Sequence, residues 1–200
     1  RAGRKLVVKL WNATRFGLMQ LQGFDPAAAR MPASERTPED RWVLAELHRI
    51  IPTVQAGFDS YDYATAREAI DRFFWQVFTD NYVEMIKDRF WNPERHDEAS
   101  RGSARSTLWE VLRTLISLYA PFLPFVTEEL YQRIFRPYEE AVSLHITPWP
   151  VQDPSLVGDV PEMAVVFGVL KAVRALRTDA RLSQTKRLPG VTIDASGATA

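Results

Sequence analysis

Leu6, Leu10, Ala13, Gly17 and Leu21 recur at intervals of three and four residues, and the same interval returns in most later segments of the chain. It links Trp42, Leu44, Leu47, Ile51, Val54 and Phe58, then Ala66, Ile70, Phe73, Phe74, Val77, Phe78 and Ile86, then Ala104, Leu108, Leu112, Leu115 and Tyr119. It appears last in Val165, Val169, Ala172, Val173 and Leu176. Such spacing lays apolar side chains along one side of an α-helix, and each stripe needs another helix to cover it. Several stripes in one chain predict an all-α fold, an antiparallel helical bundle. The core expected at its centre is Leu10, Leu47, Ile70, Phe74, Val77, Leu108, Leu112 and Leu115. With 46% hydrophobic residues over 200 positions, there is enough apolar surface for one such core.

Prolines and capping residues divide the stripes. The first helix runs to about Leu21 and gives way to a stretch broken by Gly23, Pro26, Pro32 and Pro38. Thr37-Pro38-Glu39-Asp40 offers a capping hydroxyl, a proline for the first helical position and acids for the helix dipole. Pro52 is expected to kink or split the helix that follows. Asp62 can cap a third and longest helix reaching Phe90 and Trp91, where Pro93 stops it. Residues 94–102 read as a solvated loop, with Ser103 preceding a fourth helix. Pro121 and Pro124 bend the chain, and Thr127-Glu128-Glu129 reads as a cap. Residues 143–150 are extended, and Asp159 and Pro161 open a last helix. Val191-Thr192-Ile193-Asp194 is a strand candidate, read as the first strand of a following, truncated domain. The expected organisation is a helical bundle over 1–150, then a C-terminal helix and the start of a truncated α/β junction over 151–200. Arg1 stands inside a helical pattern with no initiator Met, which suggests a segment of something larger.

Composition excludes several kinds of chemistry. The chain has no cysteine, hence no disulfide, thiolate metal site or cysteine nucleophile. His48, His96 and His145 are far apart and none belongs to a ligand-spaced pair, so no metal site is expected. No Glu-x-x-His motif, glycine-rich phosphate loop or nucleophile elbow occurs. Asp80, Glu84 and Asp88 share a helix face, but Lys87 and Arg89 adjoin them, which favours surface ion pairing over acid and base catalysis. No catalytic residue and no cofactor is therefore expected in this segment. The apolar runs are too short to span a bilayer and nothing resembles a signal peptide, so the default location is cytoplasmic.

Lys plus Arg equals Asp plus Glu at 25 each, which argues against a chain that coats nucleic acid indiscriminately; any RNA contact must be local. One segment fits a local contact. Arg1, Lys5, Lys9, Asn12 and Phe16 follow one another at helical spacing, with Arg4, Trp11 and Arg15 on an adjacent row away from the leucine stripe. Cations neutralise phosphates and flat rings stack on unpaired bases, the combination that single-stranded RNA recognition needs. The competing readings are ordinary ones. Lys and Arg also sit on solvated helix faces, Trp11 beside an apolar stripe is expected in the core, and the chain could be a helical module that binds another protein. Lys171, Arg174, Arg177, Arg181, Lys186 and Arg187 form a second basic run, with Arg174, Arg177 and Arg181 on one face.

The motifs Lys9-Leu10-Trp11-Asn12-Ala13-Thr14-Arg15-Phe16, Asp40-Arg41-Trp42-Val43-Leu44, Phe73-Phe74-Trp75 with the run from Asp80 to Lys87, the run from Ala120 to Leu130, and Pro148-Trp149-Pro150 occur in an order that resembles one family. It is the anticodon-binding domain of class I aminoacyl-tRNA synthetases for branched aliphatic amino acids. Within that group the likeness is greatest to the valyl enzymes, while Gly23-Phe24-Asp25-Pro26 is similar to the isoleucyl ones. The resemblance implies a helical bundle behind a Rossmann-type catalytic domain of the same polypeptide. That domain would activate valine with ATP and load it on tRNA(Val). The class I signatures, His-x-Gly-His and Lys-Met-Ser-Lys-Ser, are absent from these residues, so this segment's expected share is recognition of the anticodon stem-loop. On that reading Asn12 and Arg15 read base edges, Phe16 stacks ahead of Trp11, and Lys5 and Lys9 hold phosphates together with Arg1. Lys87 and Arg89 are second-rank phosphate contacts.

Overall fold

The computed structural model describes residues 2–183, 190 and 192, with side chains from residue 5 onward. Among the described residues the longer elements are all helical. They are α1 Ala2–Gln20, α2 Pro26–Ala29, α3 Pro38–Asp59, α4 Tyr63–Arg72, α5 Val83–Trp91, α6 Glu98–Tyr119, α7 Pro124–Ile134 and α8 Pro161–Asp179, with a π-helical segment Phe73–Tyr82 joining α4 to α5. No strand occurs among the described residues, as the all-α expectation requires. The strand candidate at 191–194 lies outside them apart from Thr192.

The chain divides into two units, one ending at Asp159 and the other starting at Val160. In the first, α6 is the central element, contacted by α1, α2, α3, α4, α5 and α7. Its Ala104, Leu108, Val111, Leu112, Leu115, Ile116 and Leu118 are buried on several sides of the helix, as expected of one enclosed by neighbours. Leu10, Leu47, Ile70 and Phe74 join them with no exposed surface, while Val77 is half-buried against the same cluster. Each fully buried side chain of this size contributes roughly 1.5–3 kcal/mol before entropy is subtracted.

Pro52 neither ends nor divides α3, which runs through it. A proline has no N–H, so the carbonyl of His48, four residues earlier, loses its helical partner. Gln152 supplies the replacement, its Nε2 donating to the His48 oxygen at 2.9 Å. The backbone N–H of Asp153 donates to His48 Nδ1 at 3.0 Å, and Arg49 donates to the Gly158 oxygen and to Asp159 Oδ1 at 3.1 and 2.8 Å. Residues 152–159 are thereby strapped along α3. Burial lowers the His48 pKa against the pull of Asp153 and Glu110, which keeps Nδ1 available as an acceptor.

One helix interior and two helix starts differ from the sequence reading. The expected third helix is α4, the π segment and α5 in series; at its end the Val83 N–H bonds to the Phe78 oxygen, five residues back. Phe73, Phe74, Phe78 and Tyr82 are buried along that segment. α6 begins at Glu98 because Asp97, accepting from the Ser100 N–H at 2.7 Å, caps it before Ser103 is reached. Thr127 is not a cap: Pro124 opens α7, and the buried Thr127 hydroxyl donates back to the Leu123 oxygen at 2.9 Å. Glu128 accepts from Ser143 Oγ and the Leu144 N–H at 3.0 and 2.9 Å, holding a 3-10 turn, Leu144–Ile146, where the chain reads as extended.

In the second unit α8 departs from expectation. Of the stripe predicted to face inward, Val165 and Leu176 are 65% and 64% exposed, and only Met163 is buried on this helix. Periodicity identifies side chains that share a face; it does not supply a helix to cover them.

Candidate nucleic-acid interface

α1 lies on α6 and α7 through Leu6 and Leu10, with Leu21 buried just beyond its end. Thr14 also sits on the buried side, where its hydroxyl is satisfied by donating to the Leu10 carbonyl at 2.8 Å. Gly17 packs against α6: a Cβ there would run into Leu112 Cδ1. With the leucine stripe turned inward, Lys5, Val8, Trp11, Asn12, Arg15 and Met19 are left exposed on the opposite side. Val8 and Met19, 51% and 60% exposed, add apolar surface that the sequence reading did not include.

The flanks of this face are aromatic. Lys9 is half-buried with its Nζ 5.2 Å from the centre of the Trp75 ring. Phe16 is half-buried and meets Phe90 edge to face at 6.3 Å. On the other flank Trp11 is 36% exposed, and the guanidinium of Arg133 on α7 lies 5.8 Å from its ring centre. The expectation that Trp11 belongs to the core is thus corrected. It stands one residue from Leu10, about 100° around the helix from the buried stripe. Arg1 lies outside the described residues, and the side chain of Arg4 is likewise not described.

Lys87 is half-buried, paired with Glu84, and its Nζ is 5.5 Å from the ring centre of Trp91, itself 65% exposed. Arg89 is a correction. It is buried at 3% exposure, with Nη1 donating to Asp40 Oδ2 at 2.8 Å, Nη2 donating to Thr37 Oγ1 at 2.9 Å, and Glu39 at 2.9 Å as a second carboxylate partner. An arginine so enclosed cannot meet a phosphate.

Asp40 is the centre of that network and the residue sequence reasoning missed. With no exposed surface it accepts from the Tyr82 hydroxyl at 2.6 Å, the Thr37 hydroxyl at 2.9 Å, Arg89 and the Ser103 hydroxyl. Ser103 accepts in turn from the Thr37 N–H at 3.0 Å, so the hydroxyl expected to cap α3 works inside the network instead. Burial, then the neighbouring carboxylate of Asp40, raise the Tyr82 hydroxyl well above its ordinary pKa, so it remains a neutral donor. A signal was present in the sequence. Asp40 stands four residues before Leu44, and Arg89 three after Ile86, so both charges fall on apolar stripes.

Among the described residues no three His, Asp or Glu side chains are grouped so as to hold a metal ion. Glu84 pairs with Lys87, and Asp88 is held by His96 Nε2 at 2.8 Å and by Asn92 at 2.5 Å. Hydrogen bonds from His96 and Asn92 depress the Asp88 pKa. In the second unit Lys171 and Arg174 are exposed, while Arg177 donates to the Ser183 oxygen at 3.2 Å. Arg181 lies past the end of α8 with φ of 52°, off the face it was expected to share; Lys186 and Arg187 are outside the described residues. No described helix is long and apolar enough to cross a membrane.

The family model for the anticodon-binding domain of tRNA ligase matches residues 40–192. The valine–tRNA ligase of Carboxydothermus hydrogenoformans is 35% identical over 189 residues, covering 92% of this chain and 20% of the relative. That of Thermobifida fusca is 36% identical over 197 residues, covering 96% and 21%. The chain therefore spans about a fifth of the length of these curated relatives. Among solved structures, a ternary LeuRS–tRNA–LeuAMS complex from Agrobacterium radiobacter K84 shares the fold, with a TM-score of 0.52 and 19% identity over 79% of this chain and 17% of that one.

Proposed function

From the premise that this chain belongs to the anticodon-binding domain family of tRNA ligases, we propose that the outer face of α1 binds the anticodon loop of a tRNA, and that this tRNA is the one for valine. The observation that carries the reading is the division of α1: its leucines are buried while Lys5, Asn12 and Arg15 are exposed together. In a loop the bases are unstacked and their edges accessible, whereas an RNA duplex hides them in a deep, narrow groove. Asn12 and Arg15 contact base edges, Lys5 and Lys9 hold phosphates, and Phe16 packs against a base with the part of its ring that Phe90 leaves free. Lys87 is a phosphate contact of lower rank, and the buried Arg89 makes none.

The remainder of the polypeptide carries the reaction on this proposal. Valine is activated with ATP and joined to tRNA(Val) there, in the cytoplasm, and this segment selects the tRNA. The valyl identity is supported by the named relatives. A filter-binding titration of the 200-residue chain with transcribed valine tRNA and with a tRNA of another identity tests the reading. Tighter binding of the valine tRNA is expected. Equal affinity for both, or none for either, contradicts it.

A further inference from the structure

We propose that Trp11 on α1 and Arg133 on α7 form a stacking platform for one unpaired RNA base, whose edge is then read by Arg15. The inference rests on the RNA-binding reading of α1 and adds to it a second helix and a different ring from Phe16. Trp11 is 36% exposed although it is a large apolar side chain, and a cation, the Arg133 guanidinium, lies 5.8 Å from its ring centre. Arg133 is itself exposed over 60% of its side chain and is tethered by Glu129, whose Oε1 accepts from its Nε at 2.5 Å. The guanidinium lies over the indole, so the pair offers an exposed guanidinium backed by a ring and held in place without being enclosed.

Arg15 stands one turn beyond Trp11, and side chains four apart on a helix are neighbours. A base stacked on the pair, against the guanidinium that the indole backs, has Arg15 within reach of its edge. Phe16 suits this task less well. Five positions separate it from Trp11, about 140° around the helix, and part of its ring meets Phe90, so any base it packs against is a different one. The flat indole and guanidinium select RNA over an acidic peptide as the occupant, because they stack on a base while Lys5 and Arg15 supply cations for its phosphates and edge.

The test uses the 200-residue chain and a hairpin with the sequence of the valine tRNA anticodon arm. It also uses a set of the same hairpin in which one loop nucleotide at a time lacks its base. Trp11→Ala is expected to weaken binding of the intact hairpin roughly 5- to 150-fold, the range for one lost stacked base. For one abasic position alone the substitution should cost nothing further, and Arg15→Ala should lose its effect at that same position. Trp11→Phe should recover part of the affinity, and Arg133→Lys less than Trp11→Phe, since an ammonium keeps the charge without the plane. A fluorescent base analogue at the coupled position should be quenched by the parent and not by Trp11→Ala. Parent-like binding by Trp11→Ala, or an equal loss across every abasic hairpin, overturns the platform while leaving the RNA reading intact. Failure of the parent to bind any hairpin overturns both.

Discussion

Two arginines in motif-bearing helices, Arg15 and Arg89, meet opposite fates. Arg15 is exposed on the outer face of α1, while Arg89 is buried between α3, α5 and α6 with Asp40, Glu39, Thr37 and the Ser100 carbonyl around it. One cation is left for a partner; the other is neutralised within the fold. The difference is set by helical phase. Arg89 follows Phe78, Tyr82 and Ile86 on a buried stripe, whereas Arg15 lies away from Leu6, Leu10 and Gly17. A charge that falls on an apolar stripe is a structural charge until shown otherwise, and it implies a partner on another stripe.

The sharpest way to break this comparison is to remove the buried partner. Asp40→Ala leaves Arg89 enclosed and takes an acceptor from Tyr82 and Ser103, so a loss of about 3–5 kcal/mol in urea unfolding is expected. Arg15→Ala should stay within about 0.5 kcal/mol of the parent. Comparable losses from both would erase the distinction. Gly17→Ala comes next, since the added methyl collides with Leu112; a cost of about 1–3 kcal/mol is expected, read by the same unfolding curves. A neutral outcome would mean that α1 is not seated where its outer face requires.

The helices and most of the core were legible in the sequence because three- and four-residue spacing is a direct consequence of helical geometry. Leu10, Leu47, Ile70, Phe74, Leu108, Leu112 and Leu115 are buried as that spacing implies. What spacing did not convey was partnership. It placed Asp40 and Arg89 on their stripes without indicating that the two stripes meet, and it lined up Val165 and Leu176 without indicating that they stay exposed. Trp11 stands beside the stripe in sequence, but one residue past Leu10 is about 100° around the helix, which leaves it partly exposed. The π segment was invisible because a five-residue bond at Val83 alters the register without altering composition.

Smaller effects sharpen the contrast from the binding side. Lys5→Ala should weaken valine tRNA and other tRNAs alike and reduce the slope of log affinity against log salt by about one unit or less, because a phosphate contact carries no sequence information. A loss confined to the valine tRNA would reassign Lys5 to base reading. The least effect is expected at His48. Its pKa in the fold lies below the ordinary value near 6.5, so the stability it supports is present at neutral pH and declines as pH falls below about 6.5. His48→Asn supplies an acceptor for the Asp153 N–H that does not titrate. Thermal unfolding between pH 7 and 5 should therefore vary less in this variant than in the parent, and an unchanged profile would detach His48 from the strap at 152–159.

The central claim is that the exposed polar residues of α1 read bases. It is tested most directly by the double variant Asn12→Ala, Arg15→Ala, first shown to unfold like the parent and then titrated with valine tRNA and a tRNA of another identity. The account predicts that affinity for the valine tRNA falls by on the order of 1–3 kcal/mol per lost base contact, toward that for the other tRNA, which itself barely changes. A folded double variant that keeps the parent's affinity and discrimination would contradict it.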